Sequence, residues 1–207
     1  MSYIPQLTPT YPTNTYTDNE YHAWNPFEQM YNPYRSWQQN YGMPNCTAYA
    51  WARFWTLANP VSATDNRPTL SLGNAWRWWG YTEDGYSRGQ VAKLGAIICF
   101  RDPPDTPPEL ETGGHVAIVE EIFPDGSIRV SNSGYTDIQA DKDRWWFWTA
   151  TLPNDYSYPN TNWVFQGFIY NPFVDDSKKL PIWLMRRKKD VKGKTIFGAT
   201  KNIRTRK

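Results

Sequence analysis

The sequence predicts an α+β fold in which N-terminal helices pack on an antiparallel β-sheet. One observation is a helix-compatible stretch without Gly or Pro over residues 46–58. Another is a series of short β-type runs that begins after residue 95. A third is the turn sequence Pro124–Asp125–Gly126 between two of these runs, which predicts a hairpin and therefore an antiparallel pair. The length of 207 residues is typical of one domain with terminal extensions.

Two helices are predicted ahead of the sheet. The first covers residues 46–58, CTAYAWARFWTLA, and Asn59–Pro60 stop it because proline cannot continue a helix. The second is short and runs over residues 74–79, with Asn74 as its N-cap and Gly80 as its terminator.

Five β-type runs follow the helices, separated by turn signals. They cover residues 96–100, 116–122, 128–131, 145–151 and 163–170. The segment 102–114 holds four prolines and is predicted to be a loop. Because the helices precede all the strands, the order favours an antiparallel sheet over a parallel one.

Composition excludes several classes of protein. Two Cys allow at most one disulfide, and two His and two Cys far apart in sequence do not form a structural zinc motif. No metal or cofactor is therefore predicted. The longest apolar run, residues 94–100, is far shorter than the ~20 residues of a membrane-spanning helix. The first residues lack the basic and apolar regions of a signal peptide, so we expect synthesis in a cytoplasm without secretion by that route.

The formal net charge of +2 conceals two oppositely charged segments. Residues 178–207 contain 12 basic residues and one acidic residue, a net charge of +11. Residues 1–177 contain 10 basic and 19 acidic residues, a net charge of −9. Such asymmetry indicates an anionic partner for the basic tail, or else a solvated tail with no partner.

Three segments are predicted from these patterns. Residues 1–40 are rich in Tyr, Pro, Asn and Thr, and are interpreted as an arm that lies on its own domain or on a partner. Residues 41–176 form the folded domain, and residues 177–207 form the basic tail.

Three residues carry the predicted chemistry. Cys46 begins the first helix, where free amide groups and the helix dipole are expected to stabilise a thiolate and lower its pKa. His115 follows Gly113–Gly114 at the start of a strand, and Asn132 ends the next strand. The Asn132 carbonyl is expected to accept the imidazole N–H, the third role in a Cys–His–Asn arrangement.

Each of these residues also has an ordinary structural explanation when taken alone, since Cys is often a small buried residue and Asn often serves a turn. Cys99 in GAIICF and His22 in the arm are interpreted as structural residues without a catalytic role. Six tryptophans either belong to the core, which is favoured, or line a substrate groove: Trp76, Trp78, Trp79, Trp145, Trp146 and Trp148.

Five segments of the chain resemble the CHAP domain, the cysteine- and histidine-dependent amidohydrolase/peptidase family. They are PNCTAYAWARFW, SLGNAWRWWGY, LGAIICF, GGHVAIVEEIFPDGSIRVSNSGY and FQGFIYNP, in this order over about residues 41–172. The resemblance implies a papain-like α+β fold and cleavage of peptide-type amide bonds in peptidoglycan.

The resemblance implies that residues 41–176 are the catalytic domain. By position, it makes Cys46 the nucleophile, His115 the base and Asn132 the orienting residue. Many members place an acidic residue at the position of Asn132 and an Asn two residues later, where this chain has Gly134. Asn45 is a candidate to stabilise the oxyanion. Some members bind calcium through acids before the Cys, and residues 38–45 contain none, so no calcium site is expected.

The resemblance leaves the biological role open among three hypotheses. The first is a virion-associated phage lysin that opens the wall at cell entry, with residues 1–40 and 177–207 contacting other virion tail proteins. The second is an endolysin that releases progeny. The third is a virion structural protein with a degenerate CHAP fold, against which the presence of both Cys46 and His115 argues. The basic tail is expected to bind anionic wall polymer in an endolysin and DNA in a structural protein. We expect the protein to be made in the host cytoplasm and to act on the cell wall.

Overall fold

The fold is described from a computed structural model, which covers residues 3–8, 45–57, 68–110, 112–134 and 147–175 and the backbone of 188–189 and 195–196. Most of the predicted arm and tail therefore lies outside the described residues, as do His22, Trp145 and Trp146.

The first predicted helix is α1 (Cys46–Thr56), which starts at the predicted residue. Asn45 has extended backbone, and its Oδ1 accepts hydrogen bonds from the Thr47 N–H at 3.0 Å and the Thr47 hydroxyl at 2.8 Å. This N-cap satisfies an amide that has no partner within the helix.

The second predicted helix is a single turn of 3-10 helix, Ala75–Arg77. Asn74 makes no capping bond, and the turn closes through the Trp78 N–H and the Ala75 carbonyl at 3.1 Å. The predicted set of N-terminal helices is thus not supported. In the described part of the chain the sheet is accompanied by one α-helix and short 3-10 turns.

All six strands of the main sheet run antiparallel to their neighbours, in the order β1-β6-β2-β3-β4-β5. The strands are β1 (Arg88–Gly89), β2 (Ile97–Arg101), β3 (His115–Ile122), β4 (Ile128–Ser133), β5 (Phe147–Leu152) and β6 (Val164–Ile169). The antiparallel sheet is confirmed, and each of the five predicted runs overlaps one strand. The two-residue β1 carries no alternating pattern and was not predicted.

The predicted hairpin joins β3 to β4. The Phe123 N–H donates to the Ser127 carbonyl at 2.9 Å, and Gly126 adopts a φ of 85° that favours glycine. The Asp125 carboxylate accepts the Ser127 N–H at 3.0 Å, which closes the turn.

The sheet is buried on both faces. Helix α1 packs on one face, where its apolar side chains meet Ile97, Cys99, Val116, Ile118 and Ile169. The opposite face carries a second cluster that includes Ala117, Val119, Val130 and Phe168. Alternate residues of β3 therefore serve different clusters, as the two-residue repeat of a strand requires.

A buried charge joins the N-terminal segment to the domain. The Glu120 carboxylate is fully buried and accepts hydrogen bonds from Arg53 Nε at 3.1 Å and Nη2 at 3.0 Å. It also accepts bonds from the Tyr3 hydroxyl at 2.6 Å, the Gln6 N–H at 2.8 Å and the Ser131 hydroxyl at 2.7 Å. The described beginning of the arm, residues 3–8, thus lies on its own domain.

Asp175–Lys207 forms a separate unit from Met1–Val174. Its described secondary structure is a two-stranded antiparallel ladder of β7 (Lys188–Lys189) and β8 (Thr195–Ile196). No helix in the described part of the chain has the length and apolar character needed to cross a bilayer.

Candidate active site

Cys46 is the first residue of α1 and is partly exposed. Burial of the thiol raises its pKa to about 11, although the backbone N–H groups of Val116, Thr47 and Cys46 itself favour the thiolate. The prediction that the helix start lowers this pKa is therefore wrong in its net direction. Desolvation of the charge outweighs the amide donors, so Cys46 is a neutral thiol at pH 7.

His115 and Asn132 are brought together as predicted. His115 Nε2 lies 2.9 Å from Asn132 Oδ1 across β3 and β4. The Asn132 Nδ2 group faces the carbonyls of Val130 at 3.4 Å and Trp148 at 3.5 Å, which orients the amide with its oxygen toward the imidazole. A neutral His115 therefore carries its proton on Nε2 and keeps the lone pair of Nδ1 for use as a base.

Three aromatic rings enclose the His115 imidazole. Trp163 stacks on it with 4.5 Å between ring centroids and a 12° angle between planes, and Trp148 is nearly parallel to it at 6.0 Å. Tyr158 meets the imidazole edge-on at 5.5 Å. This enclosure leaves His115 3% exposed, and burial lowers its pKa to about 4 despite the hydrogen bond to Asn132.

Cys46 and His115 are adjacent but not hydrogen-bonded to each other. The Cys46 thiol lies at the backbone N–H of Val116, one residue beyond His115 on β3. The thiol packs with the cluster under α1, whereas the imidazole faces the aromatic rings of the second cluster. Catalytic hydrogen bonds are often long in free enzymes and tighten in the substrate complex.

The loop before His115 is held by Asp102, which sequence reasoning missed. Its carboxylate accepts the N–H groups of Thr112 at 3.1 Å, Gly113 at 3.1 Å and Gly114 at 3.2 Å. Gly113 and Gly114 have φ values of 81° and 76°, and a Cβ on Gly114 would lie 2.5 Å from the Phe100 carbonyl oxygen. The only sequence signal was an Asp ahead of prolines, which is common in loops.

The remaining predicted site residues have varied surroundings. Asn45 uses its side-chain oxygen to cap α1, and its predicted contact with an oxyanion stays a prediction. Trp78 is fully buried in the core, whereas its neighbour Trp76 is 41% exposed. Within the described ranges, no group of three or more His, Cys, Asp and Glu side chains is placed to hold a metal ion.

Because the folded state disfavours a charged His115, we expect the free energy of unfolding to decrease as the pH is lowered through a defined range. The unfolded chain binds a proton near the ordinary His pKa of about 6.5, but folded His115 does so only near pH 4. Stability is therefore lost as the pH falls from about 6.5 to 4, by about 3 kcal/mol for this group. Urea unfolding at pH 7, 5.5 and 4 measures the loss. The same series on His115→Gln isolates the histidine contribution, and an equal pH dependence in both proteins would contradict the assignment.

Comparisons with known proteins show what the chain is similar to. Residues 34–134 match the family model of the CHAP domain. A protein of Streptococcus mutans serotype c that carries only a hydrolase description is 33% identical, over 40% of this chain and 42% of its own length. The chain thus spans about two fifths of that relative. A crystal structure of N-acetylmuramoyl-L-alanine amidase from Staphylococcus aureus is 22% identical with a TM-score of 0.36, and the match covers 55% of this chain and 29% of that one.

Proposed function

The chain carries a CHAP domain, and on this premise we propose that it hydrolyses amide bonds of peptidoglycan, in the stem peptide or the cross-bridge, with Cys46 as nucleophile. The observation that supports this most directly is the His115–Asn132 pair, 2.9 Å apart, one residue from the backbone amide that contacts the Cys46 thiol. A nucleophile, a base and a group that orients the base are the parts that covalent acyl transfer needs.

In the proposed reaction, both groups begin neutral. Substrate binding brings the thiol to Nδ1 of His115, which takes the thiol proton as the sulfur attacks the amide carbonyl carbon. The imidazolium then donates this proton to the leaving amine, the C–N bond breaks and an acyl-enzyme remains. His115 next deprotonates a water molecule, which attacks the thioester carbonyl, releases the carboxylic acid and restores the thiol. We further propose that the α+β fold of this domain is papain-like, as the resemblance to the CHAP family implies.

Asn132 is the proposed orienting residue, and its removal tests that role. We expect Asn132→Ala to lower kcat by about 10- to 100-fold, because the imidazole loses the bond that fixes its tautomer and ring plane. Asn132→Asp keeps an acceptor at the same place and is expected to retain more activity. A kcat of Asn132→Ala within about twofold of the parent chain would contradict the role.

Digestion of purified cell walls by the full chain tests the activity itself. Amide cleavage releases new amino and carboxyl ends, whereas cleavage of the glycan releases reducing sugar ends. Mass analysis of the fragments identifies the bond and separates an amidase from an endopeptidase. Release of reducing ends without new amino groups would overturn the proposal.

For the biological role, we propose a virion-associated phage lysin that acts on the bacterial wall at cell entry, after synthesis in the host cytoplasm. Support comes from the charge pattern, since a segment of net charge +11 beside a body of −9 is suited to an anionic wall polymer or to other virion proteins. The alternatives are an endolysin and a structural virion protein with a degenerate fold, in which the tail binds DNA.

Two measurements separate these roles. Mass spectrometry of purified virions should detect the protein if it is virion-associated or structural, and should not detect an endolysin. Wall digestion by the purified chain should be seen for either lysin and not for a degenerate structural protein. Absence from virions together with strong wall digestion would replace the first role by the endolysin.

A further inference from the structure

An exposed aromatic–cation pair lies beside the loop that delivers His115. Trp76, in the 3-10 turn, donates its backbone N–H to the Gly113 carbonyl at 3.1 Å. Its carbonyl accepts the Gln166 side-chain Nε2 at 3.2 Å, which ties the turn to β6. Hydrogen bonds on both sides of the residue therefore fix Trp76 in place next to the site.

The pair lies on the same side of the sheet as the thiol. A Cβ on Gly114 would lie 2.9 Å from the Trp76 backbone nitrogen. Ala75 and Trp78, on either side of the pair in the chain, pack in the cluster under α1 together with Cys46. A substrate that reaches Cys46 on this side meets Trp76 as a neighbouring surface.

The charge of Arg77 has no partner of opposite sign in the described part of the chain. Its guanidinium lies 4.9 Å from the centre of the Trp76 ring, and both side chains are exposed. By contrast, the guanidinium of Arg129 stacks on an aromatic ring and also binds Glu121 at 2.8 Å. The stacking holds Arg77 while its N–H groups stay open to a ligand.

We propose that Trp76 and Arg77 form a subsite for a peptide segment that bears a free carboxylate, next to the bond that Cys46 attacks. The inference rests on the proposed function and names the part of the substrate that this side of the site recognises. A guanidinium binds a carboxylate through two parallel N–H···O bonds, and the indole supplies an apolar surface for the peptide carbon chain.

A binding measurement on the full-length Cys46→Ala variant tests the subsite without turnover. The probes are a soluble stem peptide with free carboxylates and the same peptide with its carboxylates amidated, compared by calorimetry. We expect the free acid to bind about tenfold more tightly, because an ionic hydrogen bond is stronger than a neutral one. Adding Arg77→Gln should abolish this preference. Arg129→Gln should leave it intact, because Arg129 lies on β4 opposite Glu121, at the far end of β3 from His115.

Equal binding of the two peptides, no binding of either, or a preference that survives Arg77→Gln would overturn the subsite. The proposed hydrolase activity fails in a different way. A chain that shows the carboxylate preference but, with Cys46 intact, digests no wall would contradict the activity and leave the subsite standing. Wall digestion without the preference would contradict the subsite alone.

Discussion

Cys46→Ala is expected to lower the rate of wall digestion by at least about 10³-fold, because the substitution removes the proposed nucleophile. The loss should appear in kcat, since the binding surface at Trp76 and Arg77 is unchanged. Alanine is compatible with the first turn of a helix, and the Asn45 cap on Thr47 does not involve the sulfur. The measurement is release of amino groups from purified walls, with melting temperature as the check on folding.

Cys99 provides a matched control for this substitution. It is the other cysteine of the chain, is fully buried in the cluster under α1, and burial raises the pKa of its thiol. Cys99→Ala is expected to cost some stability through lost packing and to leave kcat within a few-fold. Digestion by Cys46→Ala within tenfold of the parent rate would refute the nucleophile assignment, and an equal loss in both variants would mean that packing, not chemistry, is being measured.

Glu120→Ala is expected to cause the largest loss of stability, about 3–5 kcal/mol, because it leaves the Arg53 guanidinium buried without a counter-charge. Arg53 and Glu120 are 8% and 0% exposed, and ionic contact with Glu120 raises the pKa of Arg53 further above its usual range. The variant also removes the acceptor of the Tyr3 hydroxyl and the Gln6 amide, so the segment 3–8 loses its attachment. Urea unfolding at pH 7 measures the change.

Two further variants separate charge from hydrogen bonding in this cluster. Glu120→Gln retains an acceptor but not the charge, and should lose less stability than Glu120→Ala. Arg53→Met combined with Glu120→Gln removes both charges, and should recover part of the loss if the unpaired guanidinium is its cause. A loss below about 1 kcal/mol for Glu120→Ala would show that the pair does not hold the domain together.

Much of the fold could be predicted because its signals are local. The β-type runs around residues 96–100 and 116–122 and the turn at Gly126 depend on side chains that are neighbours in sequence. The prediction of the second helix also used a local signal, the N-cap residue type of Asn74, and it was wrong. Asn74 makes no capping bond, and only a single 3-10 turn forms. The residue type at position 74 therefore did not determine whether a helix extends beyond one turn.

The candidate site was predictable in its members and not in its electrostatics. His115 and Asn132 lie on strands that the predicted hairpin joins, so their proximity was predictable from the turn sequence. The register between β3 and β4 shifts between Val119 and Glu121, and the turn sequence does not predict this shift. The pKa of Cys46 was predicted in the wrong direction, because the helix start is visible in the sequence and the burial of the thiol is not. Asp102 was missed since its partners lie ten to twelve residues away in a loop.

The sequence by itself determined the strands, the start of α1, the hairpin and the identity of the Cys, His and Asn, because each depends on the order and type of nearby residues. The tertiary structure alone decided that Trp78 is core while Trp76 is exposed, that Glu120 binds a segment more than a hundred residues away, and that both Cys46 and His115 are neutral at pH 7. These properties depend on how much water each group loses, and that loss is set by atoms distant in sequence.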